Sequence, residues 1–316
     1  ALLHRQADDV WRVDFQLGWD ADPEEEKKPE RILPRLRAML GAEARFEIEW
    51  ASVYTFACRR MRNFRHGRVL FAGDAAHLVS PFGARGANSG MQDVDNLIWK
   101  LDLVLQGLAP ERLLDSYDGE RVAAADDNIR SSTRSTDFIT PKSAVSRTFR
   151  DAVLALAEKH RFARRLVNSG RLSVPTVLCG SKLNTPDRDA DFSTAVGAML
   201  PGAPAADAPV SGPRGAWLLD YLAPGFTLLT FGDAVPVAQT DSVTGDAISC
   251  RIVQVGGGAQ ADRTVIFDET GLVTRRYDGQ PGTCYLLRPD QHVCARWRAF
   301  DANAVRGAIA RATGTA

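Results

Sequence analysis

The stretch Gly67–Leu105, GRVLFAGDAAHLVSPFGARGANSGMQDVDNLIWKLDLVL, constrains the fold more than any other part of the chain. It opens with the apolar run Val69-Leu70-Phe71-Ala72, bounded by glycines and short enough to be a strand buried on both faces. Gly73-Asp74 closes that strand with a carboxylate at its C-terminal end. A loop from Ser80 to Ala87 follows, holding Pro81, Gly83 and Gly86. The next helix is expected to begin near Asn88 or Ser89, either of which can cap it. Met91, Val94, Leu97, Ile98, Leu101 and Leu105 then recur at three-four spacing and predict one buried apolar face.

Strand, acidic tip, glycine loop and helix start together describe a place where a ligand meets a sheet edge. A helix N-terminus presents unpaired N–H groups and partial positive charge, so it favours an anion or an electron-rich carbonyl. Gly83 and Gly86 let the main chain approach a flat or phosphorylated ligand with no side chain between. Asp74 is suited to accept hydrogen bonds from sugar-like hydroxyls. Residue types alone leave an ordinary strand–loop–helix connection, with Asp74 as a cap, equally open.

The runs GRVLFAGDAAH and SPFGARGANSGMQDVDNLIWKL resemble the second flavin motif of the FAD-dependent aromatic hydroxylases, the single-component flavoprotein monooxygenases. Phenol hydroxylases and hydroxyphenylpropionate hydroxylases are the members they resemble most. The resemblance implies that Gly73 and Asp74 hold the ribityl chain of FAD. It implies that Pro81 lies beside the flavin ring with its carbonyl toward the substrate, the one catalytic position assigned. The N–H groups of Ala87 and Asn88 would meet the N1–C2=O edge of the ring, with Gly83 and Gly86 clearing the approach. NAD(P)H would be the reductant, O2 the co-substrate, and a small phenolic compound the acceptor of one oxygen. A rival reading is a non-catalytic thioredoxin-like interaction module with a vestigial flavin segment.

The chain has 316 residues, enough for two domains with their own cores. Lys+Arg and Asp+Glu both number 39, so no overall field draws it to nucleic acid or an anionic membrane, and neither is an expected partner. No apolar run reaches bilayer length and no signal-peptide pattern opens the chain. Cys58, Cys179, Cys250, Cys284 and Cys294 are odd in number and form no CxxC, which suits a reduced, cytoplasmic protein without metal.

Ahead of the flavin motif, Trp11, Val13, Phe15, Leu17 and Trp19 alternate with polar residues and predict a strand with one buried face. The resemblance makes such a sheet the roof of an aromatic substrate site. Asp20–Glu30 reads as a solvated charge run. Pro29 should open a helix with Ile32, Leu33, Leu36, Met39 and Leu40 inward, stopped by Gly41, with a start or kink at Pro34. Phe46, Ile48 and Trp50 predict a strand continuing through Tyr54 and Phe56. Arg59, Arg60, Arg62, Arg65, His66 and Arg68 read as a solvated connection, with a contact to the FAD pyrophosphate or NAD(P)H as the alternative. His77 reads as a packing residue, with a proton carrier as its alternative.

Beyond the motif, Pro110–Asn128 is expected to be helical with Leu113, Leu114, Tyr117 and Val122 inward. Residues 129–178 follow as an amphipathic helical layer broken at Pro141, with Phe149, Val153, Leu156, Phe162, Leu166 and Val167 as core candidates. Gly180–Pro213, rich in Pro, Gly, Ala and Asp, reads as a long surface linker. Strands are expected at Phe226–Phe231, Ile248–Val255, Thr264–Phe267, Tyr285–Arg288 and Val293–Trp297, then a helix from Asp301 to about Arg311. Gly256-Gly257-Gly258 reads as a turn, since no Rossmann helix pattern follows it. GTCYLLRPDQHVCARWR resembles the end of a thioredoxin-like C-terminal domain, and without CxxC its redox catalysis is unsupported.

The expected fold class is therefore α/β: the C-terminal part of an FAD-binding hydroxylase domain with substrate-domain strands, then a thioredoxin-like domain. The expected segments are 1–56 for the remaining substrate sheet, 57–128 for the flavin segment, 129–179 for the helical layer, and 180–316 for linker and thioredoxin-like domain. No GxGxxG within a βαβ unit occurs in these residues. An N-terminal FAD-binding segment is thus an expected partner, and a homodimer is another. Alone, the chain is expected to be inactive and to leave Val69–Ala72 as an exposed apolar edge.

Overall fold

The structure, a computed structural model, describes residues 1–18, 20–81, 84–167, 175–222, 224–236, 239, 247–258 and 261–316. It divides into two units, Ala1–Phe56 and Ala57–Ala316.

In the first unit, β1 (Leu2–Arg5) pairs antiparallel with β2 (Trp11–Asp14), Leu2 opposite Asp14 and Arg5 opposite Trp11. The expected period-two strand is realised only in this short hairpin, and Trp11 is exposed. Trp19 lies outside the described residues. The charge run contains a helix, α1 (Pro23–Glu26), capped by Asp22, whose Oδ1 accepts the Glu24 N–H at 2.8 Å. The second helix, α2 (Pro29–Leu40), starts at Pro29, runs through Pro34 and ends at Gly41, which takes φ +96°. Only Leu36 of its expected inward set is buried among the described residues. Residues 46–56 form no strand: alternation supplies a face, but a ladder needs a neighbouring strand. Tyr54 and Phe56 do share a face, with ring centroids 6.2 Å apart.

The second unit begins with four two-residue strands. β3 (Arg59–Arg60) pairs with β6 (His77–Leu78), and β4 (Arg65–His66) pairs with β5 (Val69–Leu70). The apolar run is therefore no doubly buried strand. Val69 is 56% exposed, as an edge lacking a neighbour on its other side must be. The long helix α3 (Arg85–Leu105) follows, then a 3-10 turn (Glu111–Leu114) that feeds directly into α4 (Asp115–Ile139). Leu113, Leu114 and Tyr117 are buried as expected, but α4 continues eleven residues past Asn128. The break at Pro141 precedes α5 (Ala144–Lys159), capped by Ser143, and α6 (Arg161–Val167). Of the core candidates here only Val153 is buried. Phe149, Leu156, Phe162, Leu166 and Val167 are exposed, because these two helices pack mainly on each other.

The C-terminal part is a five-stranded sheet in the order β11-β10-β7-β8-β9. β7 (Phe226–Phe231), β8 (Cys250–Val255) and β9 (Thr264–Ile266) are parallel, while β10 (Cys284–Leu287) pairs antiparallel with both β7 and β11 (Val293–Trp297). Every residue of β7, β10 and β11 is buried, so both sheet faces are covered. One face packs Leu228, Ile252 and Leu286 against Val305 and Ile309 of α8 (Ala302–Thr313) and against Trp99 of α3. The other packs Leu229, Val253 and Tyr285 against Leu218, Tyr221 and Val273, the last from the short α7 (Leu272–Arg276). The glycine turn is as expected, with Gly256 and Gly257 at φ +71° and +84°.

Residues 180–213 have no helix or long strand, but they are not a loose linker. Leu183, Phe192, Met199, Ala208 and Val210 are buried. The main chain is tied to β11 by Thr185 N to Cys294 O at 2.7 Å and Gly202 N to Val293 O at 2.6 Å. Glycine and proline there shape a path along a sheet edge that the segment itself closes.

Candidate functional site

The helix of the flavin motif begins earlier than its caps suggest. Ala84 takes the left-handed conformation, φ 51°, and its N–H donates to Pro81 O at 3.1 Å, so the turn itself starts α3 at Arg85. The first-turn N–H groups of Gly86 and Ala87 then have no acceptor within the helix. Asn88 lies one turn inside, and its side chain donates back to Ala84 O at 2.7 Å. Gly83 lies outside the described residues. Pro81 is exposed, with one lone pair of its carbonyl engaged by Ala84.

The burial of α3 is largely the reverse of the expected one, with only Leu97 and Leu101 of the expected apolar face half-buried. Met91, Val94, Ile98 and Leu105 are 74%, 52%, 57% and 78% exposed. The buried residues are Arg85, Ser89, Asp93, Asn96, Trp99 and Lys100. Nearly all of that face is polar, and it meets an equally polar face of α4: Glu120, Arg121, Asn128 and Ser132. The positions 85, 89, 93, 96 and 100 have a helical period of their own, so the sequence carried the signal. Reading only apolar residues for the core missed it.

Two polar clusters fill this seam. In the first, Asp93 Oδ2 accepts Gly73 N at 2.9 Å and His77 Nε2 at 2.7 Å, while Oδ1 accepts Arg121 Nε at 2.7 Å. Burial alone would raise the Asp93 carboxyl, but the His77 hydrogen bond and the Arg121 guanidinium outweigh it and hold the group below its ordinary value. The His77 ring stacks on Phe64 with centroids 5.6 Å apart. In the second cluster, Glu120 receives Lys100 Nζ at 2.7 Å, Arg288 Nη1 at 2.6 Å and Asn96 Nδ2 at 2.8 Å, with Ser181 Oγ as a further donor. Asp290 takes Arg288 Nη2 at 2.6 Å and Asn96 Nδ2 at 2.9 Å. Burial opposes the charge on Glu120, yet Arg288 and Lys100 keep its carboxyl well below the usual range. Lys100 is pulled down to about 8, by burial first and by the Arg288 charge, against the pull of Glu120. This cluster joins α3 and α4 to the turn between β10 and β11.

The Gly73–Asp74 turn sits on α3 through a glycine pair. Gly73 takes φ +60°, and a Cβ on Gly90 would come within 3.2 Å of the Gly73 Cα. Asp74, in a 3-10 turn of residues 73–75, points its burden outward: it is exposed. Among the described residues a Cβ on Gly86 would meet the Val79 side chain, at an ordinary 3.8 Å. The fold thus favours glycine at 73, for its φ, and at 90, for the close approach, whereas among the described residues nothing crowds position 86. Gly86 is four residues upstream of Gly90, about 6 Å along the axis, so turn and helix start lie about one helical turn apart.

Two of the basic residues are committed to α4 and its lead-in turn: Arg60 to Asp126 at 2.7 Å, and Arg65 to Asp115 at 2.6 Å and to Glu111. Arg59, Arg62 and Arg68 are exposed. The described cysteines are all unpaired; Cys284 lies opposite Trp297 and Cys294 near Leu286, so the two do not bridge. Among the described residues no helix is long and apolar enough to cross a membrane.

Residues 4–132 match the FAD binding domain family. The chain is 29% identical over 297 residues to a 3-(3-hydroxy-phenyl)propionate/3-hydroxycinnamic acid hydroxylase of Mycolicibacterium gilvum, covering 90% of this chain and 51% of the relative. It is 31% identical over 291 residues to a probable NADH-specific resorcinol 4-hydroxylase of Rhodococcus jostii, covering 89% and 49%. The chain thus spans about half the length of these relatives. Among solved structures, the flavin-dependent monooxygenase PieE in complex with FAD and substrate superposes with a TM-score of 0.75 at 22% identity, over 95% of this chain and 57% of that one. Aklavinone-11 hydroxylase with FAD and aklavinone gives 0.62 at 24% identity, over 93% and 54%. The glycine-backed acidic turn and helix start of residues 73–90 therefore lie within the segment that matches the FAD binding domain family, in a chain that is similar along most of its length to hydroxylases of phenolic compounds.

Proposed function

We propose that this chain is the flavin-ring and C-terminal part of an FAD-dependent monooxygenase that hydroxylates a phenolic ring with NAD(P)H and O2. The observation that carries the reading is Gly86. Among the described residues no contact requires a glycine there, while Gly73 and Gly90, about one turn away, bring an exposed carboxylate up to the same helix.

These residues fit FAD. Asp74 would accept hydrogen bonds from the ribityl hydroxyls. The N–H groups of Gly86 and Ala87 would face the electron-rich edge of the ring and stabilise negative charge there. Asn88, a turn further in, would serve through the helix start rather than through its own N–H. Pro81, with Gly83, would border the ring on the substrate side. FAD would supply the redox and oxygen chemistry, and the protein would orient and exclude water. The names of the relatives above, each a hydroxylase of a phenolic compound and one NADH-specific, support the substrate class and the nicotinamide. They favour this reading over a non-catalytic interaction module.

FAD retention and substrate-stimulated oxidation of NADH or NADPH by the full-length protein, across phenols from one ring to several, test it. Hydroxylated product with consumption of O2 is expected. Nicotinamide oxidation that no phenol stimulates would overturn it. The 316-residue chain, which contains no GxGxxG, is expected to lose FAD on gel filtration. Retained stoichiometric flavin would refute that division of the cofactor site.

A further inference from the structure

Asp93 is the most completely engaged carboxylate beside the proposed flavin turn. Its side chain is 0% exposed and its partners come from three places in the chain. Two of them flank the turn of residues 73–75: the Gly73 N–H at its start and the His77 ring just after its end. The third, Arg121 on α4, fixes the carboxylate from behind at 2.7 Å. One buried group thus grips both ends of the turn that presents Asp74.

We propose that Asp93 is a positioning residue, locked by His77 and Arg121, that holds the Gly73–Asp74 turn so that the Asp74 carboxylate stands ready for the cofactor's hydroxyl groups before FAD arrives. The inference rests on the flavoprotein reading given above. A turn built on a glycine at φ +60° has a wide choice of conformations when nothing holds it, and ordering it on binding would weaken affinity. A charge-assisted bond to its first N–H removes most of that freedom in advance. The Gly73–Gly90 contact limits the turn from beneath but does not orient its N–H; Asp93 does. The His77 ring is set by its stacking on Phe64, and its Nδ1 has no partner among the described residues, so the Asp93 bond is its one polar anchor there.

The test is a double-mutant cycle in the full-length protein, freed of FAD and titrated with it. Asp74→Ala, Asp93→Asn and the double variant are compared, with thermal unfolding of each apo-protein alongside. Asp93→Asn is expected to weaken FAD binding roughly tenfold, the equivalent of one hydrogen bond to a charged group. Because Asp93 acts through the turn, the double variant should bind no more weakly than Asp74→Ala alone. Fully additive losses would overturn the positioning role and leave a merely structural one. So would a loss with Asp74→Ala but none with Asp93→Asn, while the flavin reading would survive. No loss with Asp74→Ala would sink both. If Asp93→Asn does not fold, His77→Phe, which keeps the stacking and removes the bond, carries the same cycle; His77→Gln, which restores a donor, should recover part of the affinity.

Discussion

Removing Glu120 should be among the most damaging single substitutions in the molecule. Its side chain is 2% exposed and stands between two cations, Lys100 and Arg288, that are themselves fully buried. In Glu120→Ala Lys100 loses its ion-pair partner and Arg288 one of its two, and Asp290 is left to balance both charges. Breaking a buried pair by taking away one member costs about 3–5 kcal/mol. For a unit of this size that is a fall in Tm on the order of 10 °C. Glu120→Gln keeps the shape and loses the charge, and it adds a pH signature. Lys100 is already lowered to about 8 with Glu120 in place. Without the carboxylate it should shed its proton at lower pH still, so the folded state binds fewer protons than the unfolded one across the neutral to alkaline range. Stability then rises with pH there. Urea unfolding of wild type and Glu120→Gln at pH 6 and pH 9 checks this: the gap between them should narrow at pH 9. A Glu120→Ala loss below about 1 kcal/mol, typical of an exposed pair, would refute the account of the seam as buried and charged.

Acid should destabilise the second unit through the same groups. Burial opposes their charge, but their cationic partners hold Asp93, Glu120 and Asp290 below the ordinary carboxylate range. Their contribution is present above about pH 4 and lost as pH falls through the lower folded values, so the urea midpoint should drop between pH 5 and pH 3. An unchanged midpoint would contradict it. Gly119→Ala, exposed on α4 with open space around it, should stabilise by up to about 1 kcal/mol, whereas Gly90→Ala, 3.2 Å from Gly73, should forfeit that gain. Equal shifts in thermal unfolding would show that the glycine contact is slack. Thiol reagents should label exposed Cys179 rapidly and leave Cys250, Cys284 and Cys294 untouched, since burial blocks them and pushes the first two up to about 12. Fast labelling of all five would mean the sheet opens readily.

Local features of this chain were legible because they depend on neighbours in sequence. The strands of the C-terminal sheet, α8 with its Asp301 cap, α2 from Pro29 to Gly41 and the Gly73 turn follow from periodicity, caps and glycine. The flavin motif was legible for the same reason: its residues are contiguous. What the sequence could not decide was which face of α3 turns inward. Its apolar face at Met91, Val94 and Ile98 and its polar face at Asp93, Asn96 and Lys100 both have helical period. The choice fell to partners far along the chain, Glu120, Arg121, Arg288 and Asp290, which give each buried charge its counter-charge. Strand pairing was undecidable for a like reason: residues 46–56 alternate well and find no partner, while 180–213 read as a linker and are held along β11. Propensity is a property of a segment, but burial of charge and completion of a ladder are properties of pairs, and only the tertiary structure brings the pairs together.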